Sequence, residues 1–177
     1  MIAVAPLLIA LLQAAALPAP APATAVTDCS AAAHRQFDFW IGDWDVVPNG
    51  APPPPGRKPS RNTVTKIQSG CVIHENWQAA TNTGESFNIY DRSRGQWHQT
   101  WVDSGGGLHE YWGGREGANM VFRGSMPAPS NPALRVQVRL TFFDLGNGKV
   151  RQFSESLNPD GTWSADYDLL YTRRTPP

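Results

Sequence analysis

The sequence predicts an all-β protein: an antiparallel up-and-down barrel of about ten strands with a short N-terminal helical segment. Turn-forming residues recur at the interval of a meander, at Ser69-Gly70, Thr81 to Gly84, Asp91 to Gly95, Ser104 to Gly107, Gly113 to Gly117, Asp144 to Gly148 and Asn158 to Gly161. The stretches between them alternate apolar and polar side chains, as strands with one wet face do. None is long enough to hold a crossover helix, which disfavours an α/β fold. Half-wet strands in hairpin succession leave two open edges unless the sheet closes, so a barrel is preferred, with a two-layer sandwich as the alternative.

Residues 1–25, MIAVAPLLIALLQAAALPAPAPATA, contain no charged side chain and pass from an apolar core into a Pro/Ala segment ending Ala23-Thr24-Ala25. This is the pattern of a secretory signal, which leaves residues 26–177 as a single barrel domain that is periplasmic or secreted, with no stable membrane anchor after cleavage. The n-region has no Lys or Arg, so an uncleaved anchor is the alternative, although the apolar run is broken by Pro6 and short for a bilayer. In an oxidising compartment the isolated pair Cys29 and Cys71 is most simply a disulfide, stabilising by on the order of 3 to 4 kcal/mol through the loop it closes. Fifteen basic residues balance fifteen acidic ones without a polybasic run, which argues against nucleic acid as a partner.

The first element, Thr27 to Phe37, is helix-compatible, with Thr27 or Asp28 as N-cap and Ala31 to Ala33 as helix formers. Strands follow near 39–47, 62–68, 71–78, 84–91, 96–103, 107–113, 118–124, 133–143, 149–157 and 162–172. Alternation assigns their faces. Leu134, Val136, Val138, Leu140 and Phe142 oppose Arg135, Gln137, Arg139 and Thr141, and Trp163, Ala165, Tyr167, Leu169 and Tyr171 oppose Ser164, Asp166 and Asp168. The Pro-rich loop at 48–61, PNGAPPPPGRKPSR, cannot donate ladder hydrogen bonds through its prolines and reads either as a lid or as a tolerated insertion.

The first strand region, FDFWIGDWDV at 37–46, contains Gly42-Asp43-Trp44, and the last strand ends in Arg173-Arg174. This resembles the lipocalin and wider calycin pattern, which implies a Gly-x-Trp packed beneath a barrel and covered by an Arg from near the final strand. The ordered set FDFWIGDW, GCVIHENW, GESFNIYD and QWHQTWVD resembles a group of small exported bacterial proteins of unknown function with a lipocalin-like fold, over roughly residues 35–172. That resemblance implies no reaction. Ten strands resemble the fatty-acid-binding and nitrobindin branches, but a haem-ligating His near the C-terminal end has no counterpart, since the last histidine is His109.

In QWHQTWVD the bulky face carries Trp97, Gln99 and Trp101 and should point inward. A connection of two or four residues from GESFNIYD would pair Tyr90 with Trp97, Asn88 with Gln99 and Ser86 with Trp101; an odd connection would pair Phe87 or Ile89 with the Trp face instead. The even register is preferred. On the preceding strand Glu75 shares a face with Ile73 and Trp77, and a buried carboxylate must be paired, solvated or protonated. Glu75, Asn88, Gln99 and Gln152 among Trp77, Tyr90, Trp97 and Trp101 read as the orienting groups of a small-molecule pocket, or as a self-satisfied network that fixes the register.

The histidines have no recognised ligand spacing and read as surface residues, and there is no Gly-x-Ser-x-Gly elbow or phosphate loop, so no metal, cofactor or catalytic residue is assigned. The expected function is binding of a small apolar or amphipathic molecule inside the barrel. The alternatives are an enzyme using Glu75 as acid or base, and a self-packed barrel acting through protein contacts.

Overall fold

The computed structural model describes residues 29–50, 55–128 and 131–174. The signal-like segment, the cap positions Thr27 and Asp28, and residues 51–54 of the Pro-rich loop lie outside them. Ten strands form: β1 (Gly42–Pro48), β2 (Ser60–Ile67), β3 (Val72–Gln78), β4 (Thr83–Asp91), β5 (Gln96–Asp103), β6 (Leu108–Glu116), β7 (Asn119–Ala128), β8 (Asn131–Gly146), β9 (Lys149–Leu157) and β10 (Trp163–Arg173). Each pairs antiparallel with the next, and β1 pairs with β10, so the sheet closes into a barrel with no free edge. The sandwich alternative is excluded. The architecture is consistent with a calycin-like fold.

The N-terminal segment differs from its expectation. In place of one helix it makes two 3-10 turns, Ala32–Arg35 and Asp38–Trp40, and the second occupies positions expected to begin the first strand. Neither turn has a side-chain N-cap, and burial of the aromatic side chains outweighs regular helix geometry. Phe37 and Trp40 are completely buried, stacked with ring centroids 4.9 Å apart, and Trp40 packs on Phe142 at 4.7 Å. The segment is held by Trp44 Nε1 donating to the Trp40 carbonyl at 2.9 Å and by Trp97 Nε1 donating to the Ala33 carbonyl at 3.2 Å. Cys29 is bonded to Cys71 beside the β2–β3 turn, which ties the start of the segment to the same end of the barrel.

That end is closed by a second device. The Arg173 guanidinium lies over the Trp44 ring, 4.4 Å from its centroid, and donates to the Ile41 carbonyl at 2.8 Å. Gly42 has φ of 147°, and a Cβ there would collide with the Arg173 guanidinium, so both conformation and space demand glycine. The Gly-x-Trp and Arg arrangement expected from the resemblance is therefore present.

Two strands correct the simple alternation. In β8 the burial begins only at Val138; Leu134 is 58% exposed because the β7–β8 hairpin extends past the barrel rim. In β10 a bulge between Ala165 and Tyr167 shifts the register against β9. An extra residue reverses the side-chain order on one flank. Trp163, expected inside, faces outward under the Arg139 guanidinium at 4.5 Å, while Asp166, expected outside, turns toward Ser154. His34, read as a surface residue, is buried against Tyr90.

Replacing Cys29 and Cys71 together by Ser should lower the unfolding free energy by about 4 kcal/mol through the lost 42-residue loop constraint. Urea unfolding of the oxidised protein and the double variant measures this, and equal midpoints would deny the bridge a stabilising role.

Candidate functional site

The centre of the barrel is built on the hairpin of β4 and β5. Its four-residue connection gives the even register, with Tyr90 opposite Trp97, Asn88 opposite Gln99 and Ser86 opposite Trp101. Gln99 Nε2 donates to Asn88 Oδ1 at 2.7 Å, and Asn88 Nδ2 donates to the Ile73 carbonyl at 3.1 Å and to Ser86 Oγ at 3.0 Å. Ser86 Oγ donates in turn to Glu75 Oε2 at 2.7 Å, while Asn62 Nδ2 donates to Glu75 Oε1 at 2.9 Å. This chain crosses β2, β3, β4 and β5, so one polar layer fixes the relative register of four strands.

Glu75 is only 3% exposed and, among the described residues, has neutral donors and no basic partner. Burial pushes its carboxyl up to about 7, against the bonds from Ser86 and Asn62, which favour the ionised form. The carboxyl is thus poised to exchange a proton near neutral pH.

On the side of this layer away from the aromatic plug lies a cavity of about 430 Å³. That is within the range of roughly 300–1,000 Å³ usual for small-molecule sites. Five of the eight expected residues line it: Glu75, Trp77, Gln99, Trp101 and Gln152. The other three do not. Asn88 lies behind Gln99 in the polar layer, and Tyr90 and Trp97 pack into the plugged half, where Trp97 meets Phe37 edge-on at 6.0 Å. The alternative of a wholly self-packed barrel gives way to a division, since one half is filled and the other is open.

Several lining residues were not among the expected set. Tyr111, Met126, Leu140 and Leu169 form apolar wall opposite the tryptophans, and Ser154, Asp166, Tyr167 and Tyr171 supply polar atoms. Tyr111 was within reach of the sequence, because extending the hairpin register across β5 and β6 sets it opposite Gln99. Asn62 follows from alternation with buried Val64. Asp166 had no such signal, because only the bulge turns it inward.

The polar atoms are partly committed to one another. Tyr171 donates its hydroxyl proton to Gln152 Oε1, and Gln152 Nε2 donates to the Tyr167 hydroxyl at 3.4 Å. Ser154 and Ser156 donate to Asp166 Oδ2 at 2.9 and 3.0 Å. Burial pushes the Tyr111 phenol up to about 12, with the Asp166 charge adding to the effect, and raises Tyr167 and Tyr171 still further. These phenols stay protonated and act as hydrogen-bonding groups. At the mouth, Gly84 leaves the space that the flat face of Trp101 occupies, and Trp101 Nε1 donates to Asp103 at 3.1 Å. Trp77 Nε1 donates to Asn82 at 3.3 Å, so both mouth tryptophans are anchored by their polar edge.

Of the other histidines, His74 and His98 belong to the outer surface, where His74 stacks on Phe87 at 4.9 Å and bonds Glu85 at 2.8 Å and His98 stacks on Trp112 at 3.9 Å, whereas His109, also read as a surface residue, lines the cavity. No protein-family model and no curated protein sequence matches the chain.

Glu75 ionises more readily in the unfolded chain than in the barrel, so its contribution to stability is complete below pH 4.5 and is lost as pH rises through about 7. Glu75→Gln removes this dependence. The stability of the variant minus that of the wild type should climb by on the order of 3 kcal/mol across that window and then level off. Urea unfolding at a series of pH values gives the curve, and a difference that stays flat would place the carboxyl in the ordinary range.

Proposed function

We propose that the protein binds a small, partly apolar molecule in the open half of its barrel. The observation that carries this reading is the cavity of about 430 Å³ seated on a floor of Glu75, Gln99 and Gln152 and walled by Trp77, Trp101, Tyr111 and Leu169. A large apolar wall supplies affinity through burial, and a few fixed polar groups orient the ligand. Asn88 and Ser86 already spend their hydrogen bonds within the polar layer and Glu75 is held by two donors, so the floor is largely preformed. The small exported bacterial barrels that the ordered motifs resemble are the group to which we assign the chain. Export to a periplasmic or extracellular compartment fits the Cys29–Cys71 bridge, since such bonds persist under oxidising conditions. Among the described residues no helix is long and apolar enough to cross a membrane.

A second reading is favoured by Glu75 itself. A shielded carboxyl with no basic partner and a pKa near 7, facing a ligand cavity, suits proton transfer to or from a bound molecule.

Native mass spectrometry of protein isolated from its own host should show a complex that loses a discrete small-molecule mass on denaturation. Leu169→Trp, which narrows the cavity from its wall, should reduce the loaded fraction with an unchanged circular dichroism spectrum. Protein that is always empty and takes up no apolar compound would defeat the binding reading. Proton-transfer chemistry would show as a different bound mass, or a different isomer on chromatography, in Glu75→Gln than in the wild type.

A further inference from the structure

We infer, resting on the ligand-binding reading of this cavity, that its occupant is a protonated amine carried on an apolar body. The first ground is the distribution of charge. The chain is formally neutral, and many of its acidic groups are matched on the outer surface. Arg151 holds Asp168 through two bonds of 2.8 and 2.9 Å, Arg139 holds Glu155 at 2.8 Å, and Lys66 meets Asp38 at 2.7 Å. The cavity is different. Among the described residues, Glu75 on its floor and the exposed Asp166 at its mouth receive side-chain hydrogen bonds only from neutral groups, Asn62 and Ser86 for the one, Ser154 and Ser156 for the other. No Lys or Arg among the described residues lines it.

The remaining charges at the mouth do not alter this balance. Asp103 is occupied by Trp101 Nε1 and by the backbone N–H groups of Gly105 and Gly107, as the anchor of its own turn. His109 is the one basic side chain among the described lining residues and lies beside Asp103 at the rim.

The second ground is the kind of hydrogen-bonding atom on offer. Tyr171 spends its proton on Gln152, Tyr111 directs its hydroxyl to Met126 Sδ at 3.6 Å, and Gln99 spends an N–H on Asn88. The donors left to the cavity are neutral, the Tyr167 hydroxyl and one N–H each of Gln99 and Gln152, whereas the carboxyl groups that line it are acceptors. A carboxylate ligand would meet like charge without a Lys or Arg among the described lining residues to offset it. A neutral alcohol would gain only the apolar wall and a hydrogen bond. An ammonium group gains Coulomb attraction to Asp166 and to Glu75, whose ionised form it favours, hydrogen bonds to their oxygens, and the faces of Trp77 and Trp101 as cation-binding surfaces. The aromatic wall and the uncompensated carboxylates thus select the same ligand, by independent interactions.

The test is isothermal titration calorimetry at neutral pH with three compounds of equal chain length, decylamine, decanol and decanoate. Decylamine should bind on the order of tenfold more tightly than decanol, and decanoate most weakly. Asp166→Asn, at the partly open mouth, and Glu75→Gln, at the floor, should each reduce the preference for amine over alcohol. Should Glu75→Gln fail to fold, Asp166→Asn alone decides. Decanol binding as tightly as decylamine, decanoate binding most tightly, or an amine preference unchanged in Asp166→Asn would overturn the amine assignment and leave the ligand-binding reading intact. Failure of all three compounds to bind would instead overturn that underlying reading.

Discussion

A ring of ten strands encloses more volume than its own inward side chains fill, and everything inside this barrel follows from how that volume is divided. One half is filled from outside the sheet. Phe37 and Trp40 arrive on the N-terminal segment, stack beneath Trp97, Phe122 and Phe142, and exclude water from that end. The Arg173–Trp44 stack seals the seam where the first and last strands meet. Without this imported aromatic mass the inner faces of β1, β5, β7 and β8 would surround a void, and close packing is what makes such a core stable.

The polar layer is the boundary between the two halves. Asn88 and Ser86 are the members that do not border the open half, and their hydrogen bonds are used up within the layer. Gln99 and Glu75 belong to the same layer but also border the open half. A network whose members were all satisfied would only hold the barrel in register. A network that ends on a cavity also presents oriented acceptors to whatever enters, and it does so without reorganising. The two interpretations of these residues, as register lock and as binding floor, therefore apply to different members of a single layer.

Much of this was legible from pattern. Paired tryptophans at Trp97 and Trp101 determine which face of β5 is inside, and a connection of even length then fixes Asn88 against Gln99. Gly42, Trp44 and Arg173 could be placed by resemblance, because a glycine is needed where a guanidinium passes against the backbone. The illegible part has one cause at two sites, namely that alternation assumes a regular ladder inside the barrel. Leu134 keeps the apolar period yet sits beyond the rim, where the period no longer points to a core. At Ala165–Tyr167 one inserted residue exchanges inside and outside, so hydrophobicity misplaces Trp163 and conceals Asp166. Nothing in the local composition marks that bulge. The Trp40 turn was missed for another reason, since its conformation is imposed by the cavity it fills rather than by its own residues.

The seam between β1 and β10 has a further consequence for how the molecule can be attached to anything else. Arg174 donates its backbone N–H to the Asp43 carbonyl, and Cys29 is bonded to Cys71, so the described chain enters and leaves at the plugged end. The entrance beside Trp77, Trp101 and Asp166 is at the opposite pole. A solid support coupled through Arg174 holds the molecule by its sealed base. A tethered copy consequently stands like a cup on its foot, with its rim turned to the solution.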